Sequence, residues 1–132
     1  MSNKTKIMIV DDEVDFTRLI KTNLESLGGY EVRTANRAQD AVPLAKIFKP
    51  DFILLDVIMP DGSGGDIAAR LAKEPETRSV PVTFLTAAIK RNELGGAEGI
   101  VGGSTFIAKP VTLNDLTFHI PRRLAKKNLG KS

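Results

Sequence analysis

The stretch Ile7-Met8-Ile9-Val10-Asp11-Asp12 places four consecutive apolar residues directly before two acids. The stretch Phe52-Ile53-Leu54-Leu55-Asp56 repeats the arrangement, again with an acid directly after the apolar run. A short run that is apolar at every position is typical of a strand buried on both faces of a parallel sheet. We therefore predict two central strands that each end on a carboxylate.

Helical and extended patterns alternate along the rest of the chain. Apolar residues recur at helical spacing from Phe16 to Leu27, and Gly28-Gly29 provides a stop signal. The other predicted strands span residues 30–35, 82–85 and 105–108, and the other predicted helices span residues 37–48, 66–73, about 89–99 and a last segment after Thr112. Strands that are followed in turn by helices, five times over, predict an α/β domain with a parallel sheet covered on both faces.

Three local features bear on the ends of these helices. Thr112, with Asp115 three residues on, approximates a capping box for the last helix. Pro43 should kink the second predicted helix or shift its start, and Pro121 should end or bend the last one. We therefore expect one domain over residues 1–132, with a core at about residues 5–120 and a basic tail at about residues 121–132.

The composition is that of an ordinary globular domain and excludes several classes of protein. The chain has 132 residues, 42% hydrophobic and 27% charged, which fits one domain with a single core. It has no Cys, which excludes disulfides, thiolate metal sites and thiol nucleophiles. No apolar run approaches the roughly 18 residues that a membrane span needs, and the run after Lys6 is too short for a secretory signal. We expect a cytoplasmic protein.

Polar residues follow four of the predicted strands. In a doubly wound sheet, ligands bind beyond the carboxyl ends of the strands. The fold itself should therefore bring together the residues found at those ends, which are Asp11, Asp12, Asp56, Thr86 and Lys109.

This set of side chains suits phosphoryl chemistry with a divalent cation. Two carboxylates about 4 Å apart repel by about 4 kcal/mol at an effective dielectric near 20, so a cluster of three favours a bound cation. Mg²⁺ fits, because it takes one or two carboxylates together with phosphate oxygens and water. Lys109 and Thr86 supply a positive charge and a hydroxyl donor for phosphoryl oxygens. Asp56, after a central strand, is the natural nucleophile.

The order of these polar residues along the chain, each after a predicted strand, resembles that in the receiver domains of bacterial two-component response regulators. The resemblance covers nearly the whole chain, and four motifs in order are specific where any one of them is weak. It implies a doubly wound (βα)5, flavodoxin-like fold with a parallel five-stranded sheet in the order 2-1-3-4-5 and helices on both faces. The motifs that carry it are Asp11-Asp12, Asp56-Val57-Ile58-Met59-Pro60 with Gly64, Leu85-Thr86-Ala87, and Phe106 with Lys109-Pro110.

The resemblance also implies a role for each acid. Asp56 accepts a phosphoryl group from the phosphohistidine of a histidine kinase or a histidine phosphotransfer protein. Asp12, Asp56 and the carbonyl of Ile58 ligate Mg²⁺ directly, whereas Asp11 acts mainly through bound water. On this reading the chain is a signalling phosphoacceptor, and it catalyses only its own phosphorylation and dephosphorylation.

The remaining motif residues have implied roles in binding and in the conformational response. Thr86 and Lys109 bind the phosphoryl oxygens. Thr86 and Phe106 form the switch that changes the surface seen by an output partner, which the sequence does not identify. A dimer that forms on phosphorylation is an open alternative.

Other functions fit the sequence less well. A phosphatase of the haloacid-dehalogenase type needs a second Asp two residues after the nucleophile, and that position is Ile58. A degenerate receiver that only binds partners would not need the full set of five polar residues. The formal net charge is +3, with much of the excess near the chain ends, so we expect neither membrane nor nucleic-acid binding.

The extent of the natural chain bears on the output. Only about a dozen residues follow Pro121, too few for a helix-turn-helix domain, so we expect a stand-alone, chemotaxis-like receiver. Two alternatives stay open: a receiver fragment of a longer protein with a separate output domain, and a phosphorelay intermediate.

Overall fold

The computed structural model describes residues 4–87, 98–101 and 104–129. The strands are β1 (Thr5–Val10), β2 (Tyr30–Ala35), β3 (Phe52–Asp56), β4 (Ile58–Met59), β5 (Gly62–Ser63), β6 (Val82–Thr86), β7 (Glu98–Val101) and β8 (Ser104–Ala108). The helices are α1 (Val14–Ser26), α2 (Ala38–Phe48), α3 (Gly64–Lys73) and α4 (Leu113–Leu129). None of these described helices is long and apolar enough to cross a membrane.

The main sheet has six strands in the order β2-β1-β3-β6-β8-β7. The first five in this order pair in parallel, which confirms the predicted five-stranded parallel sheet and its order. A separate antiparallel hairpin is formed by β4 and β5. Because β1, β3, β6 and β8 pair in parallel, their carboxyl ends lie side by side at one edge of the sheet. The strand order reverses between β1 and β3, which is where ligands bind in folds of this kind.

Each face of the sheet has its own hydrophobic core, because alternate residues of a strand point to opposite faces. Met8 and Ile53 pack with side chains of α2 and α3 on one face. Ile9 and Leu54 pack with side chains of α1 and α4 on the other. The last four residues of β1 and the first four of β3 are all buried, as their uninterrupted apolar runs predict.

The prediction of a helix at about residues 89–99 is wrong for residues 98 and 99. Glu98 and Gly99 belong to β7, which pairs antiparallel with β8 at the edge of the sheet. The rest of this prediction, residues 89–97, lies outside the described residues. Glycine is a poor helix former, and the β-branched Ile100 and Val101 that follow favour a strand.

Of the two prolines in helices, Pro121 does not end its helix as predicted. Pro43 lies inside α2, which begins at Ala38, one residue after the predicted start. Pro121 does not end the last helix, since α4 continues to Leu129. Contacts beyond the proline hold the next turn on the domain: Arg123 donates to the Val82 carbonyl at 3.2 Å and Leu124 packs on the core. The expected boundary between core and tail at about residue 121 thus falls within a helix.

The start of α4 is capped as the sequence indicates. Thr112 and Asp115 form a reciprocal capping box, in which each backbone N–H donates to the other side chain at 3.0 Å. Farther along α4, His119 is buried and its Nε2 lies 2.8 Å from the Thr83 hydroxyl on β6. Burial, aided by the charges of two neighbouring arginines, lowers the pKa of His119 to about 4, so the ring is neutral at neutral pH.

Candidate functional site

Three carboxylates meet at the carboxyl edge of the sheet. Asp11 and Asp12 follow β1, and Asp56 is the last residue of the neighbouring strand β3. One oxygen of each carboxylate lies within 4.8 Å of an oxygen of the other two. Asp11 is 0% and Asp56 7% exposed, whereas Asp12 is open to solvent. The predicted convergence of these acids is therefore present in the fold.

Lys109 brings the main positive charge to this cluster. It follows β8, and its ammonium nitrogen lies 2.8 Å from Asp11 Oδ2, 3.1 Å from Glu13 Oε1 and 3.7 Å from Asp56 Oδ2. The same nitrogen stands 5.4 Å from the centre of the Phe16 ring on α1. Acids on one side and an aromatic ring on another hold the lysine head over the site.

The backbone ties Lys109 to the neighbouring strand. The Lys109 N–H donates to the Thr86 carbonyl at 2.8 Å, and the Lys109-Pro110 peptide is cis. Thr86 is buried at the end of β6, directly after Leu85, the residue that pairs with Asp56. The fold therefore places Thr86 at the same edge as Asp56 and Lys109.

Phe106 lies away from the acids, in the middle of β8. It is half-buried and pairs with Phe84 of β6. The two rings are tilted by 31° with their centres 5.3 Å apart. This stack links β8 to the strand that ends at Thr86.

The segment after Asp56 leaves the sheet as the β4–β5 hairpin. The Gly64 N–H donates to the Val57 carbonyl at 2.8 Å, and a Cβ on Gly64 would overlap the carbonyl oxygen of Asp56. Only glycine fits there without moving the backbone that carries Asp56. Ile58, in the hairpin, exposes 73% of its surface at the site edge.

Three further polar residues contribute to the site, and sequence reasoning did not select them. Glu13 binds Lys109, Asp61 binds the start of α2, and Asn36 donates to the Asp11 carbonyl at 2.8 Å and to Thr17 Oγ1 at 3.0 Å. Glu13 carried a signal, because it extends the acidic pair. The other two contact residues far along the chain, so no local pattern marks them.

The acids disfavour one another's charge. Burial, followed by the charge of Asp11, raises the pKa of Asp56 from 3.8 to about 6, although Lys109 opposes the shift. Burial alone would lower the pKa of Lys109, but its ion pair with Asp11, its hydrogen bond to Glu13 and the charge of Asp56 outweigh burial and raise the pKa. Lys109 is therefore charged at neutral pH, and one lysine does not fully compensate the cluster.

The donor set fits a hard divalent cation. All three side chains offer carboxylate oxygens, the ligand that Mg²⁺ prefers. The shared spacing within 4.8 Å and the exposure of Asp12 leave room for one ion with water on its open side. Burial is the largest cause of the raised pKa of Asp56 and the charge of Asp11 adds to it; a bound cation would offset that neighbouring negative charge.

The chain is thus a domain of the α/β class, with a doubly wound sheet that carries acids, a threonine and a lysine at its carboxyl edge. The family model described as the response regulator receiver domain matches residues 7–120, and the chain belongs to this family. The family expected from the sequence motifs is thereby confirmed.

Individual relatives agree with this assignment. The chain is 36% identical, over its whole length, to the phosphate regulon transcriptional regulatory protein PhoB of Pseudomonas aeruginosa, and it spans 56% of that protein. It is 37% identical over 80% of its length to the response regulator PleD of Caulobacter vibrioides and spans 23% of it. The chain therefore spans about half or less of the length of these relatives.

Solved structures of similar fold agree as well. A response regulator from Desulfuromonas acetoxidans is 30% identical with a TM-score of 0.75, and the match covers 92% of this chain and 98% of that one. A putative response regulator from Chloroflexus aurantiacus is 27% identical with a TM-score of 0.76, over 92% and 98% of the two chains.

Removing the charge of Asp56 should stabilise the metal-free protein. The folded-state pKa is raised, so the ionised carboxylate destabilises the fold; this penalty grows as pH rises from 3.8 to about 6 and stays constant above. In chelator at pH 8, Asp56→Asn should raise the free energy of unfolding by about 1–3 kcal/mol, and the gain should vanish near pH 4. Denaturant unfolding at both pH values measures it.

An exposed acid provides the matched control for net charge. Glu76→Gln, in the exposed turn between α3 and β6, removes the same charge away from the cluster and should change the stability little. An Asp56→Asn protein that is less stable than the wild type in chelator at pH 8 would contradict the account.

Proposed function

We propose that this receiver accepts a phosphoryl group on Asp56 from the phosphohistidine of a histidine kinase or a histidine phosphotransfer protein, in a Mg²⁺-dependent reaction. The observation that carries the proposal is the meeting of three carboxylates with one lysine, whose nitrogen lies 3.7 Å from Asp56 Oδ2. A buried carboxylate next to a fixed cation at the edge of a sheet is suited to act as a nucleophile on an anionic group.

The metal ligands follow from the family and from the donor set. Asp12, Asp56 and the Ile58 carbonyl would hold Mg²⁺ directly, and Asp11 would act mainly through water. When bound, the ion offsets the carboxylate charges and those of the phosphoryl oxygens. The buried Asp11 already has Lys109 at 2.8 Å, which agrees with an indirect role in metal binding.

The chemical step is an in-line transfer. A carboxylate oxygen of Asp56 forms a bond to phosphorus while the bond from phosphorus to the donor's imidazole nitrogen breaks, and the imidazole leaves with the electron pair. The Lys109 ammonium and the Thr86 hydroxyl hold the phosphoryl oxygens during the transfer. Water later cleaves the acyl phosphate and restores the carboxylate. The chain thus acts on itself alone.

Phosphorylation should be confined to Asp56. Incubation with Mg²⁺ and a small-molecule phosphodonor such as acetyl phosphate should add one phosphoryl group, seen by intact-mass spectrometry and lost on treatment with base. Asp56→Asn should show no addition, because an amide is not a nucleophile, whereas the exposed Asp66→Asn should react like the wild type. Equal labelling of Asp56→Asn would place the acceptor elsewhere.

We further propose that Thr86 and Phe106 transmit the signal. The Thr86 hydroxyl would move toward the phosphoryl oxygens and vacate space at the end of β6. Phe106 would then repack from its contact with Phe84, which lies two residues before Thr86. Phenylalanine has no hydroxyl, so packing alone must drive this step. The changed surface would be the one formed by β8 and α4.

This switch should appear as a long-range change in the NMR spectrum. Adding Mg²⁺ and beryllofluoride to the wild type should shift the amide signals of Ala87 and Phe106 as well as those around Asp56. In Thr86→Ala the shifts at Asp56 should remain while the one at Phe106 is lost, because the moving hydroxyl is absent. Wild-type shifts confined to the neighbours of Asp56 would argue against the switch.

The cellular setting completes the proposal. We infer a cytoplasmic domain, since its phosphodonors are cytoplasmic kinase and phosphotransfer modules. The output partner is unassigned, and a dimer formed on phosphorylation is one possible output. A receiver carried within a longer chain is the second candidate, favoured by the 56% of PhoB that the match spans.

A further inference from the structure

The start of α2 is capped by a residue from another part of the chain. Among the described residues, the side chain of the N-cap residue Arg37 accepts no hydrogen bond from the N–H groups of the first turn. The Asp61 carboxylate accepts these bonds instead: its Oδ1 accepts from the Ala38 N–H at 2.8 Å and its Oδ2 from the Gln39 N–H at 3.2 Å. A carboxylate is well suited to this place, because a helix N-terminus carries partial positive charge.

Asp61 lies in the turn of the β4–β5 hairpin that leads away from Asp56. The hairpin packs closely on α2, since a Cβ on Gly62 would come within 2.9 Å of the Ala38 Cβ. At its base, the Gly64 N–H donates to the Val57 carbonyl at 2.8 Å. The hairpin is therefore fixed at the base next to Asp56 and again at the tip on α2.

The contact is electrostatically favourable as well as geometrically close. The Ala38 N–H is the largest of the influences that lower the pKa of Asp61, so the carboxylate is ionised at neutral pH. A second contact secures the same region, because the Asn36 side chain, two residues before α2 begins, donates to the Asp11 carbonyl at 2.8 Å. The segment that enters α2 thus contacts both sides of the site.

From these contacts we propose that Asp61 is a positioning residue for the metal site. By holding the tip of the hairpin on α2, its carboxylate fixes the backbone of Ile58 relative to Asp56. The Ile58 carbonyl can then serve as a metal ligand without first losing backbone freedom. This inference rests on the proposed function, because it takes Mg²⁺ as the ion that Asp56 and Ile58 hold.

Two simpler roles would give Asp61 no specific effect on the metal. If Asp61 served only to stabilise α2, losing the cap of another helix should have the same effect on Mg²⁺ binding. If Asp61 served only to add negative charge near the site, removing the charge of a neighbouring acid should have the same effect on Mg²⁺ binding. The chain offers a matched variant for each: Thr112 caps α4 through its hydroxyl at 3.0 Å, and the exposed Asp40 lies in the first turn of α2.

The test is the Mg²⁺ dissociation constant, measured by NMR titration at a temperature where every variant is folded. Asp61→Ala should weaken Mg²⁺ binding by about threefold to tenfold, near the low end of effects seen for residues that orient metal ligands. Thr112→Ala and Asp40→Asn should each change it by less than about twofold. Asp61→Asn keeps one acceptor oxygen and should fall between Asp61→Ala and the wild type.

A second measurement reports the position of the hairpin without any metal. In chelator, hydrogen exchange of the Ile58 and Met59 amides should be faster in Asp61→Ala than in Thr112→Ala, since only the first releases the tip of the hairpin. If the wild type binds Mg²⁺ and Asp61→Ala binds it equally well, this inference fails and the proposed function stands. If the wild type binds no Mg²⁺, both fail.

Discussion

The site depends on the ion pairs that the Lys109 ammonium makes with Asp11 and Asp56. The ammonium stands 2.8 Å from Asp11 and 3.7 Å from Asp56, both of which are buried. A buried carboxylate without a compensating charge would be costly or would take up a proton. Lys109 can reach both acids because β8 ends beside β6, which lies beside β3. Strand order and site chemistry are therefore linked through one side chain.

One lysine does not neutralise the acids that surround it, and the remaining negative charge would favour a divalent cation. Glu13 shares the same ammonium at 3.1 Å, which adds a further acid to the three of the cluster. Burial raises the pKa of Asp56 to about 6, and the charge of Asp11 adds to this shift. A divalent cation would relieve the repulsion between the acids, and a phosphoryl group would bring oxygens that both the cation and Lys109 could bind. The repulsion in the resting site and the proposed phosphoryl transfer would thus share an electrostatic origin.

The parts of the fold that could be predicted from sequence are those encoded by local pattern. Uninterrupted apolar runs identified β1 and β3, and the acids directly after them located the site edge. The antiparallel edge strand β7 was missed, because a glycine-rich segment gives a weak helical signal and pairing with β8 decides its structure. Pro121 did not end α4, since contacts of the following residues hold the helix on the sheet.

Long-range side-chain contacts could not be predicted from the sequence, because the fold and not the local pattern decides them. Asp61 caps a helix that begins 23 residues earlier, and Asn36 contacts a carbonyl 25 residues earlier. Only the folded chain brings such partners together, so residue type and spacing carry no trace of them. The acids of the site could be predicted because they lie at the end of a strand or directly after it, and the fold alone determines where strand ends meet.

The most direct test of this account is the thermal unfolding midpoint with and without Mg²⁺, for the wild type and for Asp12→Ala. The account predicts that Mg²⁺ raises the midpoint of the wild type more than that of Asp12→Ala, because the ion binds the native cluster. It also predicts that Asp12→Ala is at least as stable as the wild type in chelator, since one repelling charge is gone. Equal effects of Mg²⁺ on both proteins, together with a less stable Asp12→Ala in chelator, would contradict it.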